Sequence, residues 1–328
     1  MIGFLARRFG HALFMLWGVS LLAFLLIDLA PGQPFDAMRL NPQISQKTLA
    51  SLRKDYGMDR PLQVRYFRWV QSVMRGDLGF SFAYNRPVWQ LLRTRLRNTL
   101  VLAITALLCS WLIAIAVGVW TAARQHQWPD RISGLATSFL LVTPDVLIGL
   151  GLLAFALHTG WLPTGGMTSL AFPEMPLLGK GKDLVLHMVL PVSALMAVTL
   201  PMLVRHVRSA VAGVLGSQFI RAAQGHGIPR RTLLLRHALP AAMNPLISLF
   251  GVSMGMLLGA SILIEVIMSW PGVGPLLVHA ILERDPYVVI GVVMLSTLLL
   301  ITGNLMADIG LCIADPRIRV SSRRGYGL

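Results

Sequence analysis

The sequence predicts an all-α polytopic membrane protein with six transmembrane helices. Three observations predict it. The composition is 55% hydrophobic and only 13% charged, where a soluble domain carries about 25% charged residues. Six segments are apolar over about 20 residues, the length of helix that crosses hydrocarbon. The basic residues behind the net charge of +15 fall largely between those segments, as in polytopic membrane proteins. That placement argues against nucleic acid, the other partner a strongly basic chain suggests.

The first apolar segment, residues 9–27, contains no Asp, Glu, Lys or Arg. Arg7 and Arg8 precede it, as in a signal peptide. Asp28-Leu29-Ala30-Pro31-Gly32 follows it instead of a small-x-small cleavage site, so it reads as a retained helix. Residues 31–97 form a long outer loop. Ser45 can cap a helix running to Tyr56, with Leu49 and Leu52 on one face and Gly57 as its stop. Leu62, Tyr66, Trp69 and Val73 mark a second amphipathic helix after Pro61. Together these make a helical lid on the outer face, or helices lying on the headgroups.

The remaining spans are 98–123, 132–157, 184–204, 245–268 and 286–307. Only Asp145 in the third span and Glu265 in the fifth interrupt them with charge. Cys109 and Cys312 both lie in apolar runs at different expected depths, so they read as inert thiols. With the N-terminus inside, the cytoplasmic parts hold 14 Lys and Arg, against three in the two short outer loops. The first outer loop holds twelve but is too long for the rule to apply. Both termini are therefore expected in the cytoplasm.

Several chemistries lack an anchor. The nearest string to a P-loop, Gly179-Lys180-Gly181-Lys182-Asp183, has no hydroxyl for magnesium. No HExxH, CxxC or GxSxG occurs. The chain is expected to bind no cofactor and to hydrolyse no ATP. His11, His158 and His187 are scattered and read as structural. Asp145 has a charge that is costly in hydrocarbon, and Pro144 before it should bend the helix. Pro144 and Asp145 are thus candidates for lining a polar pathway. The alternative is that Asp145 pairs with a neighbouring helix or sits near the interface. Glu265 lies near the outer end of its span, where water could reach it. Nothing places a second carboxylate opposite Asp145, as an intramembrane aspartyl protease needs.

The basic interval 205–244 carries the most specific pattern. Residues 219–240 read FIRAAQGHGIPRRTLLLRHALP. Ala222 and Ala223 favour helix and allow close approach. Gly227 can take positive φ and end that helix. Pro229 then enforces the break, Arg230, Arg231 and Arg236 add surface charge, and Pro240 sits where the chain should turn back toward the bilayer. The expected order is helix, sharp turn, second helix. Helix–turn–helix DNA binders share the Ala-x3-Gly turn, but position between two membrane spans excludes that use. A bare connector would not need this placement of Ala, Gly and Pro.

The interval resembles the EAA loop of ABC importer membrane subunits. The whole chain resembles the first of two permeases in dipeptide, oligopeptide and nickel importers. The resemblance also rests on Phe4-Leu5-Ala6-Arg7-Arg8, Leu29-Ala30-Pro31-Gly32, Tyr56-Gly57-Met58-Asp59-Arg60-Pro61 and Gly76-Asp77-Leu78-Gly79-Phe80-Ser81. It extends through Glu265, Trp270-Pro271-Gly272-Val273-Gly274 and Asp315-Pro316-Arg317-Ile318-Arg319. Two positions depart from the family: Arg221 stands where the loop's glutamate would be, and Pro144-Asp145-Val146-Leu147 lacks the usual aromatic pair.

The resemblance implies a type I ABC importer permease fold in the inner membrane, with a helical insertion between the first two spans. It implies a homologous second permease, two cytoplasmic ATPases that bind ATP and Mg, and an extracytoplasmic binding protein. It makes Arg221, Ala222, Ala223, Gly227, Pro229, Leu239 and Pro240 the ATPase-coupling loop. Peptides are the expected cargo; nickel or a metallophore is the alternative, and a non-ABC secondary transporter the more distant one. The expected organisation is residues 1–30 for the first span, 31–97 for the outer loop, 98–313 for the remaining core and 314–328 for a cytoplasmic tail.

Overall fold

The computed structural model describes the backbone of residues 2–29 and 60–314, and the side chains of 7–29 and 60–310. The helix expected over 45–56, most of the Leu29–Gly32 and Tyr56–Pro61 patches, and the tail from Asp315 lie outside the described residues. In chain order the elements are α1 (Ile2–Leu29), α2 (Leu62–Met74), β1 (Phe80–Ser81), β2 (Arg86–Pro87), α3 (Val88–Ala123), α4 (Trp128–Val142), α5 (Asp145–Thr159) and α6 (Leu177–Leu215). They continue with α7 (Gln218–Gly225), α8 (Arg230–Thr232), a π-helical turn (Leu233–Ala238), α9 (Leu239–Ala241), α10 (Met243–Ile267), α11 (Val273–Leu282) and α12 (Pro286–Ala314).

Five of these helices, α1, α3, α6, α10 and α12, are long and apolar enough to cross a membrane. The expected third span is not one bent helix. It is the pair α4 and α5, turned by 102°. Thr143 (ψ 123°) and Pro144 (ψ 139°) are both extended, which breaks the helix outright. The all-α class holds apart from the short antiparallel ladder of β1 and β2, which pairs Phe80 with Pro87 and Ser81 with Arg86.

The chain divides into two units. The first takes residues 1–99 and 271–299. In it α2 lies on α1 through the face expected from its spacing. Phe24 meets Tyr66 edge-on at 5.3 Å between ring centres and Trp69 at 5.2 Å. Tyr66 OH and Ser20 Oγ are 2.9 Å apart, and Arg65 Nη1 donates to Asp28 at 2.8 Å. Asp285 is buried beneath the β-hairpin. It accepts from Ser81 Oγ at 2.6 Å and from the Ala83 N–H at 3.2 Å. α11, an apolar helix between the last two spans, is fixed at its start by Thr99 Oγ1, which accepts the Val273 N–H at 2.9 Å.

The second unit takes residues 100–270 and 300–328. One apolar cluster gathers around fully buried Trp270, with Leu102, Leu195, Leu257 and Ile264. Another joins α3, α6 and α10 through Ala114, Leu203, Val207 and Leu246. Small residues allow helix backbones to close up, as is common in membranes. A Cβ on Gly118 would stand 2.7 Å from Val207 Cβ, and one on Gly251 2.8 Å from Ala307 Cβ. Polar pairs cross the same interfaces: Ser110 Oγ to Thr199 Oγ1 at 3.1 Å, and Trp111 Nε1 to Ser253 Oγ at 3.0 Å.

Candidate functional site

The basic segment is built from the end of α6 onward. The Gly216 N–H donates to Ala212 O at 3.1 Å and closes α6. Ser217 is extended (φ −74°, ψ 155°) and redirects the chain. Its carbonyl accepts the first bond of α7, from the Arg221 N–H at 3.2 Å. α7 rests on one apolar side. Ile220 is fully buried with Leu233 and Ala238, and Ala223 and Ile228 pack on the same cluster. Arg221 and Ala222 are exposed, as is Phe219, at 52%.

Gly227 ends this helix at φ +74°. The Ile228 N–H donates to Ala223 O at 3.4 Å and the Gly227 N–H to Gln224 O at 3.0 Å. These two bonds are those of a Schellman cap, and Ala223 and Ile228 both rest on the Ile220 cluster. Exposed Pro229 follows with ψ 138°, and α8 begins directly after it. Arg230 donates its guanidinium to the carbonyl of Ala123, the last residue of α3. A cation is favourable at that helix end.

The chain does not turn at Pro240. Leu239 and Pro240 sit within helix, preceded by the π-helical turn. Pro240 has no N–H, and its ring would meet the carbonyl four residues back in a regular helix. The wider turn, with the Leu239 N–H donating to Leu234 O, makes room for it. Leu239 is half-buried and Pro240 exposed.

The pathway candidates lie at the start of α5 and on α10, which pack against each other where Gly149 meets Ile264 and Ile267. Pro144 is exposed at the 102° break, and Asp145 is half-buried in the first turn of α5. Glu265 was expected within reach of water but is 0% exposed. It lies in the last turn of α10, and its carbonyl accepts the N–H of buried Trp270 at 2.8 Å. The helix ends just beyond it, with Ser269 at φ 51°. His187 is buried, with Nδ1 2.8 Å from Asp183 O, the structural placement expected of it. Among the described residues no three His, Cys, Asp or Glu side chains are placed to hold a metal ion.

One constellation was not legible as such. Arg208, on α6, forks onto Asp130, in the first turn of α4, donating from Nε and, at 2.7 Å, from Nη2. Asp130 also accepts the His126 N–H at 2.9 Å. One turn along α6, Arg205 Nε donates to Thr137 Oγ1 at 3.1 Å. Two arginines counted as loop charges therefore bind α4 to the helix that leads into α7. The available signal was Asp130 itself, the single acid among the basic residues that border the second and third spans.

The arrangement defines a polytopic membrane subunit with a capped helical elbow between two spans. Residues 114–320 match the family model described as binding-protein-dependent transport system inner membrane component, and residues 1–103 match the model for the N-terminal part of such membrane components. The chain belongs to this family and is an ABC importer permease. It is 34% identical over 322 residues to the oligopeptide transport system permease protein AppB of Bacillus subtilis, covering 97% of this chain and 99% of the relative. It is 34% identical over 337 residues to the dipeptide transport system permease protein DppB of Escherichia coli, with the same two coverages. The glutathione transport system permease protein GsiC of Salmonella typhimurium is 31% identical over 320 residues, again at 97% and 99%.

Proposed function

We propose that this permease carries short peptides into the cytoplasm by alternating access, and that residues 218–241 are where its motor engages. The names of the three relatives, for oligopeptides, dipeptides and glutathione, support the cargo class and favour it over nickel or a metallophore. The observation that carries the mechanical part is the build of α7. It is a short helix with an exposed outer side, seated on Ile220 and ended by a fixed cap at Gly227. A homologous second permease completes the pore. Two ATPases supplied as separate chains hold ATP and Mg, each gripping one coupling helix, and a soluble binding protein delivers cargo to the outer segment 31–97. Both termini then lie in the cytoplasm.

Closure of the ATPases on nucleotide would displace α7, and ATP would favour one packing of the spans over another. The direct test places a single cysteine at Ala222, with Cys109 and Cys312 replaced by serine, in the assembled complex. Cross-linking to an ATPase subunit, changed by ATP, is the expected outcome. Peptide uptake that persists without the ATPases would instead identify a secondary transporter. Uptake of nickel but not of di- or tripeptides would overturn the cargo assignment.

A further inference from the structure

The second unit carries a groove that the coupling elbow and the pathway candidates leave unused. It opens between α3, α4 and α6, with a volume of about 260 Å³. Val117, Ile132, Ala136, Leu140, Leu200 and Val204 give it apolar walls. That is below the ~300–1,000 Å³ of a typical small-molecule pocket, so an occupant inserts a slender apolar part. Trp120 and Trp128 also line it, and both are exposed. Tryptophans of this kind sit at the level of lipid headgroups.

The charge at the same end is one-sided. The Arg124 guanidinium lies 5.2 Å from the centre of the Trp120 ring. Arg131 is exposed one helical turn beyond Trp128. Asp130 is the only acid between residues 100 and 144, and it is 8% exposed and held by Arg208. No free carboxylate of this stretch opposes the two arginines. We propose that the groove is a binding site for an anionic phospholipid of the leaflet beside the basic loop. One acyl chain would lie along Ile132, Ala136 and Leu140, and the phosphate would be met by Arg124 and Arg131.

The test uses the assembled complex, stripped of lipid and titrated with dioleoyl phosphatidylglycerol or dioleoyl phosphatidylethanolamine under native mass spectrometry. The wild type should retain phosphatidylglycerol at one tighter site per chain. Ala136→Trp, which fills the groove, should abolish that site for both lipids. Arg124→Gln or Arg131→Gln should each weaken phosphatidylglycerol about 5-fold, from the ~1 kcal/mol that a basic residue contributes near an anionic surface, and leave phosphatidylethanolamine unchanged. A diazirine-bearing phosphatidylglycerol provides a second readout on the unaltered protein. Adducts on Ile132, Leu140 or Leu200 would support the site. Adducts confined elsewhere, unchanged lipid retention in Ala136→Trp, or cross-links showing the second permease seated in the groove would overturn it.

Discussion

Gly227 and Ser269 occupy the same kind of position with opposite chemistry, and the pair gives a sharp prediction. Each follows a helix end with a left-handed backbone, φ +74° for Gly227 and 51° for Ser269. A Cβ at Gly227 would meet nothing within 4 Å. Replacing it by alanine therefore tests backbone strain without collision. A side chain in this region costs about 1–2 kcal/mol, and the stiffer unfolded chain returns about 0.4–1 kcal/mol. The net expectation for Gly227→Ala is a loss of about 0.5–1 kcal/mol. Ser269→Gly removes the same strain and should gain about as much.

The assay is amide hydrogen exchange on the purified complex, read at residues 218–229 and 264–271. A change of about 0.5–1 kcal/mol in opening corresponds to about a 2- to 5-fold change in exchange, faster for Gly227→Ala and slower for Ser269→Gly. Gly225→Ala is the control. Gly225 lies within α7 and has open space around it, so alanine should slow exchange there. Unchanged or slower exchange in Gly227→Ala, alongside the expected control, would refute the strain argument. If the elbow is the seat of the motor, Gly227→Ala should also lower transport per ATP hydrolysed while leaving the ATPase rate intact.

Other outcomes follow from the packing. Gly118→Ala drives a methyl into Val207 and should cost about 1–3 kcal/mol, read as a lower temperature of aggregation in detergent. Trp270→Ala empties the centre of its cluster and should cost about 3–5 kcal/mol, read as loss of monodisperse protein on size exclusion. Asp285→Ala strips the acceptor from Ser81 and Ala83. At about 1–3 kcal/mol, it should speed exchange in residues 80–88 while leaving 218–229 unchanged. Asp130→Asn weakens the grip of Arg208 and should raise exchange at residues 126–131, with little change at 264–271.

The apolar runs made the spans readable because lipid contact is a composition property, but they did not locate helix ends. α3 begins at Val88, ten residues before its uncharged stretch, and α6 continues through Arg205 and Arg208 to Leu215. The hydrogen-bond ladder carries on where hydropathy stops. Gly227 was readable as a helix stop because so few residues take positive φ. Ser269 and Arg284 take it too (φ 51° and 55°), without a sequence mark. The pairing of Asp130 with Arg208 spans 78 residues, beyond any local pattern. α11 has no mark of its own in the sequence, because a ten-residue, mostly apolar helix between two spans merges with the runs beside it. Pro144 announced a bend, but the angle depends on Thr143 being extended as well.

The break between α4 and α5 has a consequence for how this polypeptide can live in a bilayer. A continuous helix satisfies its own main chain, whereas α4 makes its last regular bond from the Thr143 N–H to Phe139 O, and the next carbonyl, that of Leu140, faces Pro144, which has no N–H to give. Hydrocarbon offers no replacement. Set at hydrocarbon depth, that corner of the subunit would need water or another polypeptide beside it, and a solitary copy surrounded by lipid would then be the arrangement its own backbone disfavours.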